Sequence, residues 1–189
     1  MSRSDAFDFF TTRQSYPYKT MTGAVPDRAA LEAILAAALR VPDHGKLEPW
    51  RLVVLEKADM AKVADIAEAR AVRLGGDAEK IAKGRGQYDL GHLAVAVISS
   101  PKHSDKIPKA EQVLSAGALC MNIVNAASAA GWGAQWLTGW PAHDTEFAAR
   151  AFSCLPGETV AGIIHIGARG NPAPDRPRPD LARVVRWGI

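Results

Sequence analysis

The sequence predicts a single domain in which helices and short buried strands share one core. The chain has 189 residues, 48% of them hydrophobic, enough for one domain with a substantial interior. Four short apolar runs, at 52–55, 93–98, 134–139 and 160–166, have the length and composition of strands. Longer stretches with helical spacing separate them. The clearest is Leu31, Ile34, Leu35, Ala38 and Leu39.

In chain order, Ser4 can cap a short helix carrying Phe7 and Phe10. Tyr16-Pro17-Tyr18 ends it, because a residue before proline avoids the helical region. Arg13 and Ser15 then lie at a helix end, where a guanidinium and a hydroxyl can reach a phosphate. A solvated helix C-terminus would also favour Arg there. After a turn at 23–26, Asp27 opens the helix that runs through Leu39. Pro42 stops that helix, and Pro49 imposes extended geometry before Trp50. The link between them carries Asp43 and Glu48 among Arg40, His44, Lys46 and Arg51. It is either a plain solvated connection or a binding loop held between rigid elements.

The run 52–55 reads as a strand covered on both faces, followed by a helix from Asp59 to Leu74 that Gly75-Gly76 breaks. Residues 77–86 read as a short charged helix or a mobile loop. His103, in the polar loop at 99–108, reads as a surface histidine. The longest helix, 109–130, is apolar nearly all round and rich in small residues. It suits a central position and a homodimer interface. Gly131-Trp132-Gly133 follows a helix rather than a strand, opposite to the dinucleotide-binding fingerprint. The strand at 134–139 ends in Thr138 and Gly139, where backbone N–H groups can face a flat ligand. Asp144 caps a short helix bearing Phe147, Ala151 and Phe152, and the last strand ends at Gly167. Residues 168–189 form a proline-rich arm whose end, with Val184, Val185 and Trp187, has strand-like apolar residues and is expected to dock on a second subunit.

The formal charge of +3 and pI of 9.0 fit a solvated basic surface or a small anionic ligand. No Lys/Arg run interleaves with aromatics, so a nucleic-acid partner is not expected. Cys120 and Cys154 lack metal-ligand spacing and read as buried free thiols in a reducing compartment. Ser115, Asn122, Asn125 and Ser128 interrupt the longest apolar region, which is therefore no membrane span. With no secretory apolar core after Met1–Asp5, the expected location is the cytoplasm.

Arg13-Gln14-Ser15 after an N-terminal helix, Pro42-Asp43-His44 with Pro49-Trp50, and Gln135–Gly139 together resemble the FMN-dependent nitroreductase family. The similarity is greatest to its short-chain NAD(P)H nitroreductase branch. It extends to the arm from Arg176 to Trp187 and covers essentially the whole chain. The resemblance implies an α+β fold: a mostly antiparallel central sheet flanked by helices, in an intertwined homodimer with two flavin sites at its interface.

Position by position, Arg13, Gln14 and Ser15 match the motif that holds the FMN phosphate and ribityl chain. Arg40 and His44 match loop positions that reach the flavin from the partner. Trp136, Leu137 and Thr138 match the strand end along the isoalloxazine ring, and Arg176 and Arg178 match basic positions near the phosphate. Gln14 replaces a usual second Arg, Glu48 stands where Gln is frequent, and Leu137 where close relatives often have Arg.

The implied activity is a ping-pong reductase. NAD(P)H delivers hydride to flavin N5, and a nitro-aromatic, quinone-like or other small oxidised compound then takes the electrons. Lys46, Lys19 and a protonated His44 are candidate cations for the negative charge that develops on the ring. The flavin carries the chemistry, so neither a catalytic side chain nor a metal is expected. The competing reading is an FMN-storing or FMN-sensing module without efficient turnover.

Overall fold

The computed structural model describes residues 3–188, with side chains from Asp5 onward. Four strands, β1 (Trp50–Leu55), β2 (Ala94–Ser99), β3 (Gly133–Leu137) and β4 (Thr159–Gly167), form one sheet in the order β1-β2-β4-β3. All three pairings are antiparallel, in agreement with the expected α+β class. The helices are α1 (Arg3–Thr12), α2 (Arg28–Ala38), α3 (Lys57–Arg73), α4 (Ala78–Asp89), α5 (Lys109–Ala129), α6 (Gly139–Ala142), α7 (Thr145–Phe152) and α8 (Leu181–Val184).

Alternate strand residues point to opposite faces, so the sheet divides the interior into two cores. Ala94, Ala96, Ile98 and Ile163 pack with Met60 and Val63 of α3, Tyr88 of α4 and Phe147 and Phe152 of α7. Val95, Val97, Ile164 and Ile166 pack with Leu31, Ile34 and Ala38 of α2 and Leu119, Cys120 and Ile123 of α5. The small residues of α5 let it lie across β2, β3 and β4. Cys120 is fully enclosed there, and burial pushes its thiol up to about 12. Cys154 is only half-buried, and neither cysteine is in a disulfide.

Capping explains where three helices start. Asp27, Asp77 and Asp144 each accept a hydrogen bond from the N–H three residues on, at Ala30, Lys80 and Phe147. Lys57 Nζ closes the far end of α4 by donating to the carbonyls of Asp89 and Gly91. A half-buried ion pair ties β1 to the turn before β4: Arg51 holds Glu158 at 2.8 Å and also donates to the carbonyls of Phe152 and Ser153. That guanidinium keeps the Glu158 carboxyl at about 2.

Several expectations are corrected. The 52–55 run is not covered on both faces, because β1 is an outer strand and Val54 is 38% exposed. Ser4 lies within α1 rather than ahead of it, and its side chain is outside the described residues. Helix α3 begins at Lys57, before Asp59. Of the two readings of 77–86, the helix is the one found, and it extends over 78–89. Trp140 donates to the Lys80 carbonyl and packs against Gly84, and Arg85 pairs with Asp65, Glu68 and Asp89. The strand-like end of the arm contains instead one helical turn, capped by Asp180. Among the described residues no helix is long and apolar enough to cross a membrane.

Candidate functional site

Strand β3 is the other outer strand, and the segment after α1 runs along it. The Tyr16 N–H donates to the Ala134 carbonyl at 3.1 Å. Gly133 makes room, since a Cβ there would stand 3.1 Å from Tyr16 Cβ. Pro17 has no N–H to offer. The Tyr18 N–H then donates to the side-chain Oε1 of Gln135 at 2.8 Å. From the other side, the chain beyond β4 acts as a strap. Ala173 donates to the Ser15 carbonyl, Thr20 Oγ1 donates to the Asn171 carbonyl, and Arg178 donates to the Thr11 carbonyl. Arg13, Gln14 and Ser15 are thus clamped, half-buried, between the sheet edge and the strap.

Within this clamp Arg13 Nη1 is buried, with no hydrogen-bond partner among the described residues. A buried guanidinium N–H left unpaired is costly and calls for an acceptor. Arg178 is anchored at Thr11, two residues before Arg13, and Arg176 lies on the same strap between the anchor points at Ala173 and Arg178. Arg169 adds a further cation. Its guanidinium lies 5.5 Å from the centre of the Tyr16 ring and donates to the Ser128 carbonyl near the end of α5. At the end of β3, the Trp136 indole lies over Gly162, where no Cβ would fit, and its Nε1 donates to the Ala161 carbonyl. Leu137 and Thr138 follow, half-buried, before the left-handed Gly139.

The second predicted cluster sits elsewhere on the chain. In the loop between α2 and β1, both Asp43 carboxylate oxygens accept backbone N–H groups, from Leu47 and Glu48. Gly45, Lys46 and Glu48 all adopt positive φ. His44 Nδ1 donates to Glu111 Oε2 of α5 at 2.8 Å, Trp50 Nε1 donates to Ser115 Oγ, and the Arg40 carbonyl accepts from Asn122. These bonds tie the loop to α5, whereas those of Arg13–Ser15 run to β3 and the strap. Among the described residues no hydrogen bond joins the two clusters.

Sequence reasoning missed Arg169, Tyr18, Gln135 as a side-chain acceptor, and His165. The His165 imidazole is 1% exposed, stacks on the Tyr18 ring at 5.0 Å, and has no partner on either nitrogen. Desolvation holds it neutral, with its pKa lowered to about 4. A single histidine in an apolar strand gives no signal of its own. Only the pairing of β3 with β4 places it opposite Gln135.

A basic segment clamped to the edge of an antiparallel sheet, with helices on both faces, defines an α+β domain. The chain belongs to the nitroreductase family, whose model matches residues 12–168. It is 34% identical over 167 residues to a Haemophilus influenzae protein named "Putative NAD(P)H nitroreductase", covering 86% of this chain and 88% of that one. A nitroreductase-like family protein from Bacillus cereus superposes with a TM-score of 0.78 at 18% identity, over 99% of this chain and 97% of that one. A chain from Desulfovibrio desulfuricans solved in complex with FMN gives 0.76 at 18% identity, over 100% and 99%. The fold is therefore the nitroreductase fold.

Proposed function

We propose that this chain is an FMN-dependent oxidoreductase that takes electrons from NAD(P)H and passes them to nitro-aromatic, quinone-like or other small oxidised compounds. One observation carries the reading beyond family membership: the unpaired, buried Arg13 Nη1 in the clamped segment. The residues present fit a flavin mononucleotide. Arg13 and Ser15 supply compact cationic and hydroxyl donors for a phosphate monoester, with Arg176 and Arg178 on the adjoining strap. Gln14 contributes donors for a ribityl chain, and Trp136, Leu137 and Thr138 offer an apolar border for a flat ring. FMN, when bound, supplies the hydride and electron-transfer chemistry. The protein's part is to fix that group's phosphate, border its ring and leave one open position that donor and oxidised substrate occupy in turn, which makes turnover ping-pong.

The functional unit in this reading is a homodimer. Arg40 and His44 reach the partner's flavin, and of the arm at 168–189 the part beyond the strap, residues 179–189, docks on the partner subunit. Large apolar side chains that stand unburied support such a contact: Phe7 is 70% exposed, Leu114 72% and Trp187 91%. A groove of about 730 Å³ lies beside the open edge of β1. Val25, Leu31, Leu35 and Val54 give it an apolar lining, and the carboxylates of Asp27, Glu32, Glu56 and Asp59 outnumber the cations Arg28 and Lys57 there. It suits the arm's Arg183, Val184, Arg186 and Trp187 from a second copy. The free thiols of both cysteines are consistent with a cytoplasmic setting.

The test is an absorption spectrum of the purified chain after incubation with FMN, before and after anaerobic NADH or NADPH. A flavin spectrum that bleaches with either donor is expected. Arg13→Ala is expected to weaken FMN binding by at least tenfold, roughly the cost of losing a charge-assisted hydrogen bond. A flavin that stays oxidised with both donors would leave a binding module without turnover. A chain that never takes up FMN would end the proposal.

A further inference from the structure

Segment 16–18 is held to β3 in an unusual way. An added strand would bond backbone to backbone, as Tyr16 does with Ala134. Pro17 interrupts that ladder, and the next N–H, at Tyr18, is satisfied by a side chain, Gln135 Oε1. Gln135 is paired across the sheet with His165. The His165 ring lies 5.0 Å from the Tyr18 ring at an interplanar angle of 31°, so the two stack obliquely. Gly91 makes space for the imidazole, since a Cβ there would come within 2.8 Å of His165 Nδ1. Tyr18 is therefore fixed twice, at its backbone by Gln135 and at its ring by His165. It lies only three residues beyond Ser15 and five beyond Arg13, with a rigid proline between. The Arg13–Ser15 tripeptide lies between the helix end, where the Arg13 N–H donates to the Phe9 carbonyl, and this anchor, and the Tyr16–Ala134 and Ala173–Ser15 bonds share in holding it.

We propose that Gln135 and His165 are positioning residues for anion recognition. Acting through Tyr18, they set the register of Arg13–Ser15 so that the segment discriminates a phosphorylated flavin from an unphosphorylated one. Neither residue touches the ligand. The proposal rests on the flavin reading above and goes beyond it by assigning selectivity to two residues outside the binding motif. Gln135→Leu removes the acceptor that the Tyr18 N–H has among the described residues and leaves a half-buried donor unsatisfied, which frees the segment to shift.

The experiment is a pair of fluorescence titrations of apo-protein, one with FMN and one with riboflavin, for the wild type and for Gln135→Leu. A merely structural loss weakens both ligands alike. Loss of positioning weakens FMN and spares riboflavin, which has no phosphate, so the FMN-to-riboflavin affinity ratio is expected to fall about tenfold. Tyr18→Leu keeps the N–H but removes the ring from His165. It is the second variant should Gln135→Leu fail to fold, and the same fall is expected. A wild type that prefers FMN, with the ratio unchanged in the folded variants, overturns this proposal alone. A wild type that binds neither flavin, or binds them equally, overturns the flavin-phosphate reading and this proposal with it.

Discussion

His165 couples the sheet to pH. Its imidazole is held near 4 in the folded chain, against about 6.5 when free, so folding favours the neutral form. The stability it contributes is fully present above about pH 6.5 and is lost as the pH falls toward 4, with a total on the order of 3 kcal/mol. Thermal melts between pH 8 and 4 should show this loss, and His165→Phe should flatten that part of the curve. An unchanged slope in the variant would assign the acid sensitivity to other groups. Glu158 acts lower on the scale. Arg51 depresses its pKa to about 2, so its contribution is present above the ordinary carboxylate value and disappears only as the pH falls toward 2. Arg51→Met should therefore leave the behaviour between pH 6.5 and 5 intact and remove the final acid step.

Among the elements, the loop between α2 and β1 stores the most backbone strain. Gly45, Lys46 and Glu48 lie in the left-handed region, which costs an L-residue about 1–2 kcal/mol. At Gly45 a Cβ would also stand 2.4 Å from Ile107 Cδ1, so the end of that side chain would have to shift. Gly45→Ala should destabilise the chain by about 2 kcal/mol in urea unfolding, through steric and backbone strain together. Lys46→Gly should be neutral or stabilising. Asp144 caps α7 and also receives the Arg70 guanidinium at 2.9 Å. Asp144→Ala should cost about 1–3 kcal/mol, more than an ordinary cap. Local chemistry of this kind was legible in the sequence: Asp27 and Asp144 as starts, Pro42 as a stop, and the Leu31–Ile34–Ala38 stripe as the buried face. Position within the sheet was not. An apolar run such as 52–55 reads the same at an edge as at the centre. The four-residue helix at Gly139–Ala142, containing Pro141, is too short to show a period. For the same reason Arg13–Ser15 was legible as a cationic segment, whereas its clamping by β3 and the strap depends on strand order and became visible only in three dimensions.

At the scale of the molecule, the two candidate clusters of one chain lie apart. Arg13–Ser15 lies at the β3 edge, and His44 faces α5. If the arm joins two copies, removing residues 179–189 should shift sedimentation toward monomer and weaken FMN retention together. Dimers that survive the truncation would place the contact on α1 and α5 instead. The enclosure of Cys120 has a practical consequence. A thiol in the middle of α5, with no exposed surface and almost no thiolate at neutral pH, cannot be alkylated until the second core comes apart. Half-buried Cys154 can react without that event. Labelling kinetics under mild denaturant should therefore resolve into a fast and a slow phase. The slow one would act as a built-in clock for the opening of the whole domain, readable by mass spectrometry without adding a probe.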